Sequence, residues 1–209
     1  MLREGHLETL PASFGAAPEH ARGGRLRRPA RREQILAAAT RAFARGGFAA
    51  TNLDDVATEA SISRAILYRH FESKADLYRA VLERACGRLV AAVGAGNYAA
   101  ESVDALIGAA VEDPDAFRLL FQHASREPEF RQQIDAFRAS MTAVAHRQLA
   151  QTIPDVSWAR WAAQLTPVVT VEAIIAWLNA GLPNRDQAAD RIRQVVAGVI
   201  LAAGGMEGR

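Results

Sequence analysis

This chain has one cysteine, no long apolar run and almost none of the alternating pattern that strands require. Each shortage excludes something. Cys86 alone can neither close an internal disulfide nor form a metal site, so it reads as a small apolar residue on a helix. No apolar stretch approaches the roughly 18 to 20 residues of a membrane span. The opening MLREGHLETL also lacks the basic-then-apolar order of a secretory signal, so a cytoplasmic protein with no membrane partner is expected. Period-two alternation and internal repeats are nearly absent, which argues against a sheet. No nucleophile elbow, phosphate loop or paired-histidine metal motif occurs, and the five histidines are scattered. Neither a catalytic set, a metal nor a cofactor is expected, and a helical enzyme is the weakest of the readings open to this sequence.

What is present is helical and unevenly charged. A chain of 209 residues that is 50% hydrophobic can fill one large core or two modest ones, which excludes global disorder. The net charge is only +2, yet residues 1–88 carry 15 cations against 10 acids, while the remainder carries 10 against 13. The basic end is the one suited to a polyanion. Within it, ARGGRLRRPARRE sets Arg22, Arg25, Arg27, Arg28, Arg31 and Arg32 among Gly and Pro. Such a run is either a solvated tail or a nucleic-acid contact.

Residues 1–28 lack periodicity and are expected to be a disordered basic arm. From Pro29, Ile35, Ala39, Ala42 and Phe43 fall at helical spacing, and Gly46-Gly47 supplies a stop. Asn52 is placed to cap a short second helix, Ser63 a third ending near His70 or Phe71, and Ser73 a long fourth reaching Val93. Further helices are expected over about 102–112, 114–124, 128–152, 156–180 and 185–203. The fold class is all-α.

The stretch SISRAILYRHFESKADLY, Ser61 to Tyr78, mixes apolar spacing with more polar side chains than a packing helix needs. Two short helices joined by ASIS form a helix-turn-helix, whose second helix enters a DNA major groove. Val56, Ile62, Leu67 and Phe71 would hold the pair against the first and fourth helices. Arg64, Ala65, Tyr68 and Arg69 then face outward, where arginine can read guanine and small or aromatic groups can meet a thymine methyl. Tyr68, His70 and Lys74 can instead donate to phosphates. The expected partner is double-stranded DNA.

The block ILAAATRAFARGGFAATNLDDVATEASISRAILYRHFESKADLY resembles the DNA-binding domain of the TetR family of bacterial transcriptional regulators. The resemblance spans roughly residues 30 to 80. It rests on the Phe43–Gly47 helix ending, Thr51 before the second helix, Val56-Ala57, and the ordered Tyr, His-Phe, Lys and Leu of LYRHFESKADL. It implies that Thr51, Tyr68, His70 and Lys74 touch the DNA backbone and that Arg64, Ala65 and Arg69 read bases. Two positions depart from the family pattern. Ser61 stands where glycine is common, so a left-handed residue there would be strained or the turn would differ. Ile66 stands where threonine is frequent, and it either meets a thymine methyl or packs. The arm, through Arg27, Arg28, Arg31 or Arg32, is a candidate for a neighbouring minor groove.

The chain thus divides into the arm at 1–28, a helix-turn-helix domain at 29–75 and a helical effector-binding and dimerisation domain at 76–209. Ile192, Val195, Val196, Val199 and Ala203 form an apolar stripe, and Trp161, Leu165, Val168, Val169, Ile175 and Leu178 make the preceding helix apolar around much of its girth. These residues serve either an intramolecular core or a dimer. The resemblance implies a homodimer through a four-helix bundle, bound to a near-palindromic operator. It also implies a small-molecule effector, apolar or amphipathic, held between the head and the dimer helices. Phe117, Phe121, Phe137, Met141, Trp158 and Trp177 are the expected pocket residues, with plain core as their alternative role. His123, His146, Arg138 and Gln148 are candidates for its polar anchors. The resulting expectation is a ligand-released repressor; a DNA-binding protein with no effector is the alternative.

Overall fold

Asn52, Ser63 and Ser73 each start a helix, and the three caps set the angles of the N-terminal half. In the computed structural model, which describes residues 27–94 and 100–205, Asp55 N donates to Asn52 Oδ1 (2.9 Å) while Asn52 N donates back to Asp55 Oδ2 (3.3 Å). This capping box opens α2, Leu53–Glu59. Ser63 Oγ accepts from Ile66 N to open α3, Arg64–Tyr68, and Ser73 Oγ accepts from Asp76 N to open α4, Lys74–Val93. Ahead of them runs α1, Arg28–Ala50, with Pro29 in its first turn, where a missing N–H costs nothing. At Gly47 the backbone leaves the helical region (φ 71°, ψ −179°), a conformation open essentially to glycine, so the expected stop appears as a kink.

Two boundaries differ from expectation. The helix expected to follow a disordered segment to residue 28 already includes Arg28, so Arg28, Arg31 and Arg32 belong to α1 and not to an arm. Residues 1–26, including Arg22 and Arg25, lie outside the described part. The third helix stops at Tyr68, and Arg69 and His70 close it by donating to Ile66 O and Leu67 O.

The turn between α2 and α3 is a Schellman motif without its glycine. Ile62 N donates to Ala57 O and Ser61 N to Thr58 O, both at 2.9 Å, with Ser61 left-handed at φ 52°. Ile62 is half-buried against the core, as the residue after such a turn commonly is. A left-handed non-glycine residue costs about 1–2 kcal/mol, and glycine returns about 0.5–1 of that as entropy. Ser61→Gly is therefore expected to stabilise the fold by about 0.5–1 kcal/mol and to raise the melting temperature by roughly 2 °C in a calorimetric scan.

Beyond α4 come α5 (Ala100–Glu112), α6 (Pro114–Arg118), α7 (Arg131–Leu149), α8 (Val156–Asn179) and α9 (Arg185–Gly204). No strand occurs among the described residues, and the protein is all-α. The single helix expected over 114–124 is broken. Asp113 caps α6, the chain widens into a π turn at Leu119–His123, and two 3-10 turns carry it to Phe130. Leu119, Leu120 and Phe121 are all buried, and an α-helix turns its side chains by about 100° per residue, so no single face can bury three in a row. The π turn packs on both α1 and α4.

One apolar cluster runs from Ile35 and Phe43 of α1, through Leu77, Tyr78 and Val81 of α4, to Ile174 and Trp177 of α8 and Ile192 of α9. The division expected between residues 75 and 76 falls in the first turn of α4, a helix whose side chains join both ends of this cluster. A smaller cluster of Ala145, Leu149, Ala159, Ala162 and Ala203 closes the far end, where small side chains let α7, α8 and α9 approach. Contrary to the sequence reading, α8 is long and apolar enough to span a membrane by length and composition; more than half of that window is buried inside the fold. Cys86 is half-buried on α4, and burial pushes its thiol up to about 11, which keeps it protonated.

Candidate nucleic-acid interface and ligand cavity

The capped turns leave one side of α3 free. Arg64, Ala65, Tyr68 and Arg69 are exposed, Ile66 and His70 are half-exposed, and Leu67 is buried beneath them. Arg64 Nη1 pairs with Asp54 Oδ2 at 3.1 Å, and Nη2 donates to the Tyr68 hydroxyl at 3.3 Å, with the guanidinium 5.5 Å from the Tyr68 ring centroid. The Tyr68 hydroxyl serves here as an acceptor, so its own proton is free for an outside acceptor.

Thr51 and Lys74 look inward more than expected. The Thr51 hydroxyl is buried and donates to Gly47 O (2.8 Å) and lies 3.2 Å from Ala42 O, so it holds the chain after the kink and has no proton to spare for a phosphate. Lys74 Nζ donates to Thr51 O (2.9 Å) and Ala49 O (3.3 Å) and sits 4.5 Å from the Phe48 ring centroid. Two of its three protons are committed; one remains for an anion. The N-terminus of α4 is occupied by its own chain, since Ser73 Oγ and Asp76 Oδ2 accept from Asp76 N and Glu72 N.

His70 sits in a cationic setting. Burial first, then Arg28, Arg32 and Arg31, hold its imidazole below the ordinary histidine range. Arg32 also lies 5.2 Å from the Phe71 ring centroid. The start of α1 and the end of α3 therefore form one basic surface. A phosphate beside His70 would raise its pKa, so the bound state would carry more protons than the free state. DNA affinity is expected to rise as pH falls from about 8 towards about 5 and to level off below the depressed free pKa. Titration of binding against pH for His70→Gln should remove that slope.

Two cavities border α7. The first, about 310 Å³, is walled by Leu89 and Val93 of α4, Leu106 of α5, and Phe137, Met141 and Val144 of α7, with Ser140 and Arg147 as its polar members. The second, about 140 Å³, lies between α7 and α8, with Phe121, Met141, Pro167 and Val171 on its wall and Arg138 and Glu172 as its charges. Of the expected pocket residues, Phe137 and Met141 line the first and Phe121 and Met141 the second. Phe117 borders a void of about 30 Å³. Trp177 is core, its Nε1 donating to Pro183 O at 2.8 Å. Trp158 is half-exposed, packs edge-on against Trp161 and lines a further cavity of about 400 Å³ with Ile153, Pro154 and Ala203.

Trp158, Trp161, Leu165 and Val168 follow one another at i, i+3, i+7 and i+10 along α8, and Val195, Gly198 and Ala202 at i, i+3 and i+7 along α9. These stripes leave large apolar groups in solvent, with Val168 57% and Val195 50% exposed. Ile192 and Val196, expected at an interface, are buried within the chain, because a helix placing Val195 outward turns Val196 by about 100° towards the core.

Residues 35–81 match the family described as "Bacterial regulatory proteins, tetR family". The chain is also 32% identical over 180 residues to the HTH-type transcriptional activator FasR of Mycolicibacterium smegmatis, an alignment covering 81% of this chain and 82% of that protein. The chain belongs to the TetR family. It is a DNA-binding transcriptional regulator. The HTH-type transcriptional regulator TtgR of Pseudomonas putida is 46% identical over 52 residues, covering 25% of each chain. A TetR-like regulator from Rhodococcus sp. RHA1 shares the fold with a TM-score of 0.73 at 22% identity, covering 83% of this chain and 97% of that one.

In this TetR-family chain the joint between head and body escaped the sequence reading. Phe43, Phe48, Tyr78 and Phe130 form an aromatic cluster with centroid spacings of 4.8 Å for Phe43–Tyr78, 5.0 Å for Phe48–Phe130 and 4.5 Å for Tyr78–Phe130. Burial and the nearby Glu127 raise the Tyr78 pKa, so its phenol stays protonated. Glu33 of α1 accepts from Arg84 and Arg88 of α4, and both arginines also lie within 3.7 Å of Asp113, the cap of α6. Arg84 and Arg88 are four apart and so share a helix face, a visible signal, but nothing in the sequence identifies their partners on distant elements.

Proposed function

We propose that the protein is a cytoplasmic homodimeric repressor that binds a near-palindromic operator through residues 29–75 and is released by a small apolar or amphipathic ligand held in residues 76–209. The observation that carries this reading is the coexistence, in one TetR-family fold, of an exposed polar α3 face, two apolar cavities beside α7 and apolar stripes on α8 and α9. One recognition helix reads few bases, and a dimer reads two half-sites about 34–36 Å apart. Trp161, Leu165, Val195 and Val199 are the proposed interface residues that keep some exposure. Arg64, Ala65 and Arg69 are proposed to read bases, with Ile66 beside them, while Tyr68, His70 and Lys74 contact phosphates.

Release requires that the ligand bind the non-DNA-binding arrangement better, and a hundredfold loss of affinity needs about 2.7 kcal/mol of coupling. The aromatic cluster at Tyr78 and the ion network at Asp113 are the contacts through which a cavity beside α4 would reach the head. The relative FasR is named an activator, which favours a second reading in which the bound protein recruits transcription.

The test is to incubate the protein with sheared genomic DNA at about 0.15 M salt, where non-specific binding is weak, and to sequence what it retains. Enrichment of one short inverted repeat supports the operator. Transcription in vitro from the adjoining promoter then separates repression from activation. Uniform retention overturns the site-specific reading.

A further inference from the structure

We propose that Gln34 is a positioning residue for DNA recognition: it fixes the peptide between Ala60 and Ser61, from which α3 departs, and fastens Arg31 to that peptide, so that a phosphate held by Arg31 and the bases read by α3 lie in one register. The proposal goes beyond the repressor reading and rests only on α3 being the reading helix.

The turn between α2 and α3 leaves one carbonyl without a backbone donor. Its three backbone bonds, from Ala60 N, Ser61 N and Ile62 N, end on Val56 O, Thr58 O and Ala57 O, so none of them reaches Ala60 O. Gln34 Nε2, on α1, donates to that oxygen at 2.8 Å. The bond grips a strained place. Ala60 O belongs to the peptide whose other side is Ser61, left-handed at φ 52° without being glycine, and only Ile62 and Ser63 separate Ser61 from the first residue of α3. A rotation of that peptide would swing the whole of α3. The body of α2 is held separately, because Glu59 accepts from Arg41 Nε (2.8 Å) and Arg45 Nη2 (2.6 Å) of α1. Gln34 therefore acts on the turn and not on the docking of α2.

Gln34 uses the other atom of its amide as well. Its Oε1 accepts from Arg31 Nη1 at 2.8 Å, one helical turn earlier on the same face of α1. Arg31 is half-exposed, and among the described residues no carboxylate lies within ion-pair distance of it. Its guanidinium keeps four N–H groups for an outside acceptor. Its charge also acts on His70, just beyond α3, so Arg31 stands beside the surface that meets DNA. A planar guanidinium held at one N–H is pre-oriented for a phosphate. Tied to the turn, it cannot grip one without fixing α3 relative to that strand.

The experiment is fluorescence anisotropy of the full-length protein with the duplex most enriched from genomic DNA and with a scrambled duplex of the same composition, at several salt concentrations. Gln34→Met keeps size and charge but loses both hydrogen bonds. It is expected to weaken the enriched duplex roughly three- to tenfold, the effect of about one hydrogen bond, and to leave the scrambled duplex and the salt slope unchanged. A merely structural role would lower the folded fraction and weaken both duplexes alike. Gln34→Glu keeps an acceptor for Arg31 but has no donor for Ala60 O, so it should lose the same ratio between the duplexes. Adding Ser61→Gly, which relieves the left-handed residue, should restore most of the ratio to Gln34→Met. Arg31→Ala should weaken both duplexes and reduce the salt slope by about one counterion, and its loss combined with that of Gln34→Met should fall short of the product of the two. Equal losses on both duplexes, a parental ratio in Gln34→Met or Gln34→Glu, or losses at positions 31 and 34 that multiply independently overturns the proposal. If Arg64→Ala also leaves the ratio parental, the assignment of α3 has failed; if Arg64→Ala lowers it and Gln34→Met does not, Gln34 alone is misassigned.

Discussion

Replacing Trp161 and Val195 together by aspartate is expected to yield a folded monomer that loses its operator. Both side chains lie in solvent, on the outward stripes of α8 and α9, so neither substitution buries a charge within the chain. On the proposed dimer they would sit at the centre of a four-helix contact, where aromatic anchors carry much of the binding energy and unpaired charges are strongly unfavourable. Linking two half-site readers commonly gains about 10²–10⁴ in affinity, and this is what the monomer would lose. Sedimentation should show half the parent mass, with helical circular dichroism preserved and a lower melting temperature that no longer depends on protein concentration. Val196→Asp is the informative contrast. Val196 is buried, so aspartate there should unfold or strongly destabilise the protein whatever its oligomeric state. A double variant that remains dimeric with parental operator affinity would place the interface elsewhere.

The second large effect is expected at Arg64. In the free protein its guanidinium is held by exposed Asp54 and by Tyr68, and an exposed pair of this kind contributes at most about 1 kcal/mol. A bidentate contact to guanine contributes about 1–3 kcal/mol of discrimination, so Arg64 can leave Asp54 for a base at a net gain. Arg64→Ala should therefore weaken the cognate site by about 1–3 kcal/mol, roughly 5- to 150-fold, and relax preference at one base pair. Asp54→Ala, which removes the competing partner, should leave affinity equal or slightly improved. Lys74→Ala should behave differently, weakening cognate and random DNA alike and reducing the salt dependence by about one counterion. Fluorescence anisotropy with cognate and scrambled duplexes at several salt concentrations distinguishes the three. Equal loss on both duplexes for Arg64→Ala would make it a phosphate contact.

Much of the head was legible because its signals are local. Asn52, Ser63 and Ser73 cap helices through hydrogen bonds to residues three positions away, and the left-handed turn at Ser61 lies between two helices that the sequence already delimits. The outward set on α3 was equally readable, since a buried Leu67 fixes which face remains exposed. Thr51 was not, because its hydroxyl is turned inward by carbonyls made available at the Gly47 kink. Nor was the setting of Trp158, which packs against Trp161 and lines a cavity formed with the end of α9.

The sequence by itself determined most of the helices, the caps at Asn52, Ser63 and Ser73, the helix-turn-helix and the family, because these depend on local spacings and short-range hydrogen bonds, whereas the break after α6 was not legible. Only the tertiary structure decided which apolar residues are core and which face solvent. It placed Ile192 and Val196 inside and Val195 outside, joined Arg84 to Glu33 and Asp113, and set Met141 on the walls of two cavities. The physical reason is that apolar burial is non-directional: a helix apolar around most of its girth fits several packings, and the neighbours that choose among them come from distant parts of the chain.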